Sequence, residues 1–302
     1  MHSSIVPDLQ NAGFYVDYKP DINRDELKNV VHLYEGIIIR SKTTIDQELI
    51  DLAPALRFVA RAGAGTDKID EAYCKIKGIN ILNAPEGNRD ALGEHAIGML
   101  LSLFNKIHTA DNEIRNHIWD REINRGVEIK GKVVGIIGYG NMGSAFAQRL
   151  SGFECRILAF DKYKKGYGEP YAVESGLDGI FREADIVSFH VPLTSETSGL
   201  YDYGFFSNFK KNIYVVNTAR GQIMPLKDLV QLLEEGKILG AALDVLENEK
   251  LNSLNSTQES YFKILIERRN VVFTPHVGGW SFESYARIND VLVRKIISLY
   301  NS

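Results

Sequence analysis

Short apolar runs punctuate the chain at residues 14–16, 36–40, 57–63, 79–83, 132–138, 156–161, 185–191, 213–217, 240–245 and 270–276. Amphipathic stretches such as "RDELKNVVHLY" and "LKDLVQLLEEG" lie between many of them. The runs are apolar throughout instead of alternating, and helices separate them. That rhythm predicts parallel strands buried on both faces, in an α/β fold. The helical pattern at 90–118 is too long for an ordinary crossover and predicts one or two helices passing between two domains. A last helical pattern, 282–299, follows the final strand and is expected to return to the first domain, making that domain discontinuous.

Composition narrows the function classes. The chain has 302 residues, 44% hydrophobic and 25% charged, which is ordinary globular material with room for two modest domains. The net charge of -4 comes from interleaved acids and bases, so no polyanion-binding surface is expected and nucleic acid is excluded as a partner. Cys74 and Cys155 lack metal-ligand or disulfide spacing; both read as small buried residues, and no metal is expected. The N-terminus does not read as a secretory leader and no apolar stretch is long enough for a bilayer, which predicts a cytoplasmic protein without membrane partners. No repeat or low-complexity tract interrupts the pattern.

The stretch "KVVGIIGYGNMGSAFAQRL" carries the clearest chemistry. Gly138, Gly140 and Gly143 form GxGxxG directly after a strand pattern and before a helix whose Phe146, Leu150 and Phe153 share one face. In that context the first glycine makes the tight turn, the second admits a pyrophosphate, and the third lets helix pack on strand, with the helix N-terminus facing the anion. The next strand ends in Asp161, 18 residues after Gly143, where a carboxylate accepts hydrogen bonds from an adenosine ribose. An acid there repels a 2′-phosphate and predicts NAD over NADP, although Lys162, Lys164 and Lys165 follow it.

Other strand patterns also end in polar residues: His190, Asn217, Asp244 and His276, with Thr218, Ala219, Arg220 and Gly221 continuing the Asn217 strand into a turn. Ligands of open parallel sheets sit beyond these ends. His276, between Pro275 and a glycine pair, is the candidate general acid/base, with Glu247 or Glu249 as the acid that orients it. Arg220 is a candidate for bidentate carboxylate binding. Earlier in the chain Arg40 and Arg61 close two strand patterns, where they either form structural salt bridges or receive a second anionic group.

Seven stretches, "RAGAGTDKID" (61–70), "GEHAIGMLLSL" (93–103), "GVEIKGKVVGIIGYGNMG" (126–143), "SFHVPLTSETSGL" (188–200), "VNTARGQIM" (216–224), "AALDVLENE" (241–249) and "TPHVGG" (274–279), together resemble the D-isomer-specific 2-hydroxyacid dehydrogenase family over nearly the whole chain. The resemblance implies two doubly wound parallel-sheet domains with a cleft between them. A Rossmann NAD-binding domain (101–279) would be inserted in a flavodoxin-like substrate domain (1–100 and 280–302). It implies catalysis by Arg220, Glu249 and His276, with Glu249 chosen because the family's acid stands five residues after the aspartate of "DV". It implies NAD contacts from Gly138, Gly140, Asn141, Met142, Gly143, Asp161, His190, Pro192, Thr197, Thr218, Ala219 and Asp244. It also implies substrate contacts from Gly63 and Ala64.

Within the family, "IRSKTTIDQELI", "VARAGAGTDKID" and "NAPEGN" look most like the phosphoglycerate-oxidising branch, whose arginine before "AGxG" meets the substrate phosphate. That points to Arg61 and, less directly, Arg40, with Asn88 on a pocket loop, while Trp119-Asp120-Arg121 resembles the family's "W-x-R" stretch and implies a homodimer in which it reaches across the interface. Reduction of an unphosphorylated 2-oxo acid (hydroxypyruvate or glyoxylate) and NAD(H) sensing by a corepressor-like interaction protein are the alternatives. The chain departs from the family at Lys250, where proline is usual, in the polar stretch 251–260, and at Trp280, where a small residue is common. It ends at Ser302 without the regulatory domain of many phosphoglycerate dehydrogenases, so serine feedback is not expected.

Overall fold

A computed structural model describes residues 1–301. The chain divides into two compact units, Met1–Arg89 with Trp280–Ser302, and Asp90–Gly279. The first contains three parallel strands in chain order, β1 (Gly36–Ile39), β2 (Phe58–Arg61) and β3 (Asn80–Asn83), with Ile37 opposite Val59 and Val59 opposite Ile81. Successive side chains leave a strand on opposite faces. Ile37, Ile39, Val59 and Ile81 therefore pack with Leu49, Ile50 and Cys74 on one side. Ile38, Phe58, Ala60 and Leu82 pack with Ile5, Leu9, Leu292 and Ile296 on the other. Helices Gln47–Asp51 and Glu71–Lys77 cover the first face, and Ile5–Asn11 and Phe282–Asn301 cover the second.

The apolar run 14–16 is not a strand. Phe14 donates its N–H to the Leu9 carbonyl, closing the turn after helix Ile5–Asn11, and its ring meets Tyr300 edge-on at 5.0 Å. Tyr15 beside it is 90% exposed. The apolar character of this run thus anchors a loop through Phe14 and Val16 and builds no ladder.

The second unit holds a seven-stranded parallel sheet of β4 (Val133–Ile137), β5 (Arg156–Phe160), β6 (Val173–Glu174), β7 (Ile186–Phe189), β8 (Ile213–Asn217), β9 (Ile238–Leu243) and β10 (Val271–Phe273). Its order is β10-β9-β8-β7-β4-β5-β6. The chain builds outward from β4 to β6 and then resumes with β7 on the other side of β4, so the winding reverses between β4 and β7. In open α/β sheets that reversal leaves a crevice at the carboxyl ends of the strands, where ligands bind. β7 is buried along its whole length, as a central parallel strand should be.

Helix Asn141–Leu150 buries Gly143, Ala145, Phe146, Ala147 and Leu150 against this sheet. Each large apolar side chain so buried contributes about 1.5–3 kcal/mol. Phe153, expected on the same face, lies in the 3₁₀ turn Ser151–Phe153 and is half-buried. The pattern at 90–118 resolves into helices Pro85–Phe104 and Ile107–Arg115, broken where Lys106 adopts φ +53°. The polar stretch 251–260 forms the 3₁₀ turn Leu251–Ser253 and the start of helix Ser256–Ile266, opened by a reciprocal cap between Asn255 and Gln258. β6 escaped the apolar pattern because both its residues are exposed. Cys74 is buried, but Cys155, expected to be buried too, is half-buried. Among the described residues no helix is long and apolar enough to cross a membrane.

Candidate active site

Each glycine of "GYGNMG" has a different reason to be there. Gly138 ends β4 at φ +92°, and a Cβ on it would stand 2.7 Å from the His190 carbonyl oxygen, so the turn is tight against the neighbouring strand end. A Cβ on Gly143 would stand 2.1 Å from the Gly138 oxygen, so its helix packs directly on the loop. Gly140 differs: no protein atom lies within 4 Å of its Cβ position. It precedes the first residue of helix Asn141–Leu150, and no side chain caps that N-terminus. Uncapped amides and open space at a glycine make the kind of cradle that a pyrophosphate fills.

Asp161 stands directly after β5 and ties the crevice together. Its Oδ2 accepts the Tyr139 N–H at 3.0 Å, and its Oδ1 accepts those of Tyr163 (3.0 Å) and Lys164 (3.1 Å). Its own N–H donates to the Tyr167 hydroxyl at 2.6 Å, and Tyr167 stacks on Tyr139 at 5.3 Å. Of the lysines that follow, Lys162 pairs with Glu196, and Lys164 donates to the Tyr139 carbonyl in the glycine loop.

Across the reversal, two polar atoms are buried without a protein partner, Nδ1 of His190 and Oγ1 of Thr218, following β7 and β8. His190 as a residue is half-buried, and its Nε2 lies 2.8 Å from the Ser188 hydroxyl. Burial pushes its pKa down to about 3, so the ring is neutral at physiological pH. Buried polar atoms are ordinarily hydrogen-bonded, and these two stand at strand ends on the side of the glycine turn, whose Gly138 abuts the His190 carbonyl. With the open glycine cradle, they fit a dinucleotide. The loop beyond His190 is closed by Thr197, whose hydroxyl donates to the Pro192 carbonyl at 2.7 Å.

The Asn217 side chain shapes the arginine turn, accepting the Ala219 N–H at 3.0 Å and donating to the Arg220 carbonyl at 3.1 Å. Half-buried Arg220 donates from Nη1 to the Ala219 carbonyl. Gly221 follows because nothing larger fits: its Cβ would fall 1.9 Å from the Leu246 carbonyl carbon. The arginine turn is thereby pressed against the backbone leading to the acids.

The two candidate acids separate here. Glu247 accepts the Leu226 N–H at 3.0 Å, at the start of helix Leu226–Glu234. Glu249 accepts from His276 Nδ1 at 2.8 Å. His276 sits at φ +55°, a left-handed conformation uncommon outside glycine. Asp244 holds it there: its carbonyl accepts the His276 N–H, its Oδ1 accepts from Val277 N–H (2.9 Å) and the Thr274 hydroxyl (2.6 Å), and its Oδ2 accepts from Gly278 N–H (2.8 Å). His95 Nε2 completes the cluster, 2.9 Å from Thr274 Oγ1. Burial pushes the Asp244 pKa up, but these bonds outweigh it and hold the carboxyl below its usual range. Sequence reasoning missed His95 and Thr274; only the hydroxyl directly before "PH" hinted at the second.

In the first unit Arg40 follows β1, and Arg61 ends β2. Arg61 donates to the Ala62 carbonyl and folds over Gly63, where a Cβ would meet its Nη1. Gly63 adopts φ +142°, and the Ala64 carbonyl accepts from Asn83 at 2.7 Å, which fixes this loop. Asn88 is not on a loop as expected: Pro85 opens a helix, and Asn88 falls in its first turn with its Oδ1 buried and unpartnered.

A reversed parallel sheet, a glycine cradle and a strand-end acid define a dinucleotide-binding unit, and the His–Glu pair adds proton-transfer chemistry to it. The family described as D-isomer specific 2-hydroxyacid dehydrogenase, NAD binding domain, matches residues 97–278. The chain is 34% identical over 293 residues to D-3-phosphoglycerate dehydrogenase of Archaeoglobus fulgidus, covering 96% of this chain and 54% of that protein. It is 34% identical over 275 residues to hydroxypyruvate reductase of Thermotoga maritima, covering 91% and 88% respectively. The structure of D-lactate dehydrogenase from Aquifex aeolicus, complexed with NAD and lactic acid, superposes with TM-score 0.84 at 25% identity, covering 100% of this chain and 94% of that one. The chain belongs to the D-isomer-specific 2-hydroxyacid dehydrogenase family, and its second unit contains the family's NAD-binding domain. It spans about half the length of the phosphoglycerate dehydrogenases it matches first.

Proposed function

We propose that the protein is an NAD-dependent dehydrogenase that oxidises D-3-phosphoglycerate to 3-phosphohydroxypyruvate, the entry to serine biosynthesis. The observation that carries the dehydrogenase reading is the 2.8 Å His276–Glu249 pair on a loop clamped by Asp244. With Nδ1 committed to Glu249, Nε2 is the nitrogen that takes the hydroxyl proton in oxidation and returns it in reduction. Arg220 binds the substrate carboxylate and steadies charge on the reacting oxygen. Bound NAD supplies the acceptor for the hydride leaving C2.

Gly138, Gly140, Asn141, Met142 and Gly143 would hold the pyrophosphate by backbone amides, and Asp161 the adenosine ribose. His190, Pro192, Thr197, Thr218, Ala219 and Asp244 would line the remaining length of the cofactor. Gly63 and Ala64 would donate amides to the substrate carboxylate. Arg61 and Arg40 would receive its phosphate, and Asn88 would contribute a further polar contact. Trp119 is 80% exposed, with Ile114 and Ile118 exposed near it, which supports a homodimer through this stretch. The enzyme would work in the cytoplasm.

A second reading, reduction of an unphosphorylated 2-oxo acid, is favoured by the hydroxypyruvate reductase match over 88% of that protein's length. Parallel kcat/KM measurements on 3-phosphohydroxypyruvate and hydroxypyruvate decide between them. A preference for the phosphorylated acid is expected. Preference for hydroxypyruvate would establish the second reading, and no turnover of either would point to NAD(H) sensing.

A further inference from the structure

Trp280, one of the departures named above, has its ring engaged. The guanidinium carbon of Arg40 lies 3.6 Å above the centroid of its ring and 5.5 Å from that of Tyr285. Trp280 and Tyr285 meet edge to face at 5.0 Å. Ser281 and Ser284 exchange side-chain and backbone hydrogen bonds at the start of helix Phe282–Asn301. With Ser281 as the cap, Trp280 is the residue before it and Tyr285 the fourth helical residue. That is the geometry of a hydrophobic staple, which fixes where the incoming side chain points. The indole is thus set by the helix start before it meets the arginine.

Arg40 has no other hold. Among the described residues it makes no hydrogen bond and no ion pair, although it is half-buried and burial lowers its pKa. A guanidinium stacked on an indole is held through its face while its N–H groups, which lie in the plane, stay available. An arginine braced this way and left without an acid is a preordered receptor for a planar or tetrahedral anion. Its place, directly after β1 and one strand from Arg61, puts it at the carboxyl end of the sheet.

We propose that Trp280 is a positioning residue that sets substrate preference: its ring braces Arg40 so that the guanidinium edge is presented to a second anionic group, a phosphate, at the far end of the 2-hydroxy acid. The inference rests on the reading above that Arg40 contacts substrate. Without the brace Arg40 keeps its charge but must order a long side chain on binding, so the loss falls on KM for the phosphorylated substrate and not on turnover.

The test pairs 3-phosphohydroxypyruvate with hydroxypyruvate in the variants Trp280→Leu, Trp280→Phe, Arg40→Ala and Arg40→Ala with Trp280→Leu, with melting temperatures recorded in parallel. Trp280→Leu keeps apolar bulk for the staple but has no π face; it should raise KM for the phosphorylated acid about tenfold, with kcat and the hydroxypyruvate KM nearly unchanged. Trp280→Phe should recover most of that loss. In the Arg40→Ala background the Trp280 change should add nothing, because the two residues act as one unit. If Arg40→Ala weakens only the phosphorylated substrate while Trp280→Leu shifts both equally, or adds fully to it, the positioning role is overturned and the substrate reading stands. If Arg40→Ala leaves both KM values unmoved, the Arg40 contact fails and the inference fails with it.

Discussion

Alanine at Gly140 and at Gly143 should produce opposite signatures, three residues apart in one motif. At Gly143 the new methyl would stand 2.1 Å from the Gly138 carbonyl oxygen, more than an ångström inside ordinary contact with backbone that cannot swing away, and 3.1 Å from the Ile136 Cγ2 methyl, a few tenths inside it. Helix Asn141–Leu150 must move off its strand. Overpacking of this kind costs about 1–3 kcal/mol. The better helix propensity of alanine returns at most about 1 kcal/mol. A net loss of about 1–2 kcal/mol in a unit of this size lowers the melting temperature by roughly 2–8 °C. At Gly140 the backbone is extended with φ -88°, which alanine adopts freely, and no protein atom lies within 4 Å. The apo protein should melt as the parent does or slightly higher, since alanine restricts the unfolded chain. Its methyl would occupy the space proposed for the pyrophosphate, so NAD affinity should fall at least tenfold, about 1.4 kcal/mol. Thermal melts of the apo proteins and calorimetric NAD titrations read both effects. A Gly143→Ala protein as stable as the parent would refute the packing argument. Parental NAD affinity in Gly140→Ala would refute the cradle.

His276→Ala should lower kcat by about 10²–10⁴ with NAD binding intact, and Glu249→Gln should lower it less while changing the pH profile of kcat/KM; near-parental turnover in His276→Ala would sink the assignment. Asp161→Ala should lose NAD affinity and some stability together, because its carboxylate serves three backbone amides; an unchanged titration would remove its ribose role. His190 gives a pH prediction. Its folded pKa, about 3, lies below the unfolded value near 6.5, so the unfolded chain binds the extra proton between those limits and stability falls as pH falls. From pH 7 to 5 this one ring should cost about 1–2 kcal/mol. Denaturant titrations at both pH values should show that loss reduced in His190→Gln, and an equal loss in the two proteins would contradict it.

The parallel strands were legible because a strand covered on both faces is apolar without alternation, as in β4, and in β7 and β8 apart from Ser188 and the terminal Asn217. β6 was not, since both its residues face solvent, and 14–16 misled because Phe14 and Val16, which anchor a loop, imitate a strand over three residues. The chemistry at the strand ends was legible for the same reason as the strands: polar residues stood where apolar runs stopped. Residue patterning left Glu247 and Glu249 open as the acid that serves His276, and the family resemblance alone pointed to Glu249. Glu247 and Glu249 differ by two positions, and only the backbone path shows the first turned to the amide of Leu226 and the second to the imidazole. Trp280 could be seen as unusual but not as a support for Arg40, because that contact joins residues 240 positions apart.

The crowding at Gly221 has a consequence for how this chain could lose its chemistry. With less than 2 Å between the position of a side chain there and the Leu246 carbonyl carbon, the arginine turn and the segment leading to Glu249 cannot drift independently. Any substituent at 221 would push the Arg220 turn and the Leu246–Glu247 backbone apart in a single mutational step, at a distance in the chain from the glycine cradle and Asp161. Position 221 therefore serves as a marker among diverging copies. On the roles proposed for Arg220 and Glu249, a chain that keeps the dinucleotide module but has replaced this glycine is expected to bind NAD and lose turnover, which NAD titration and a 2-hydroxy acid assay of Gly221→Ala would check.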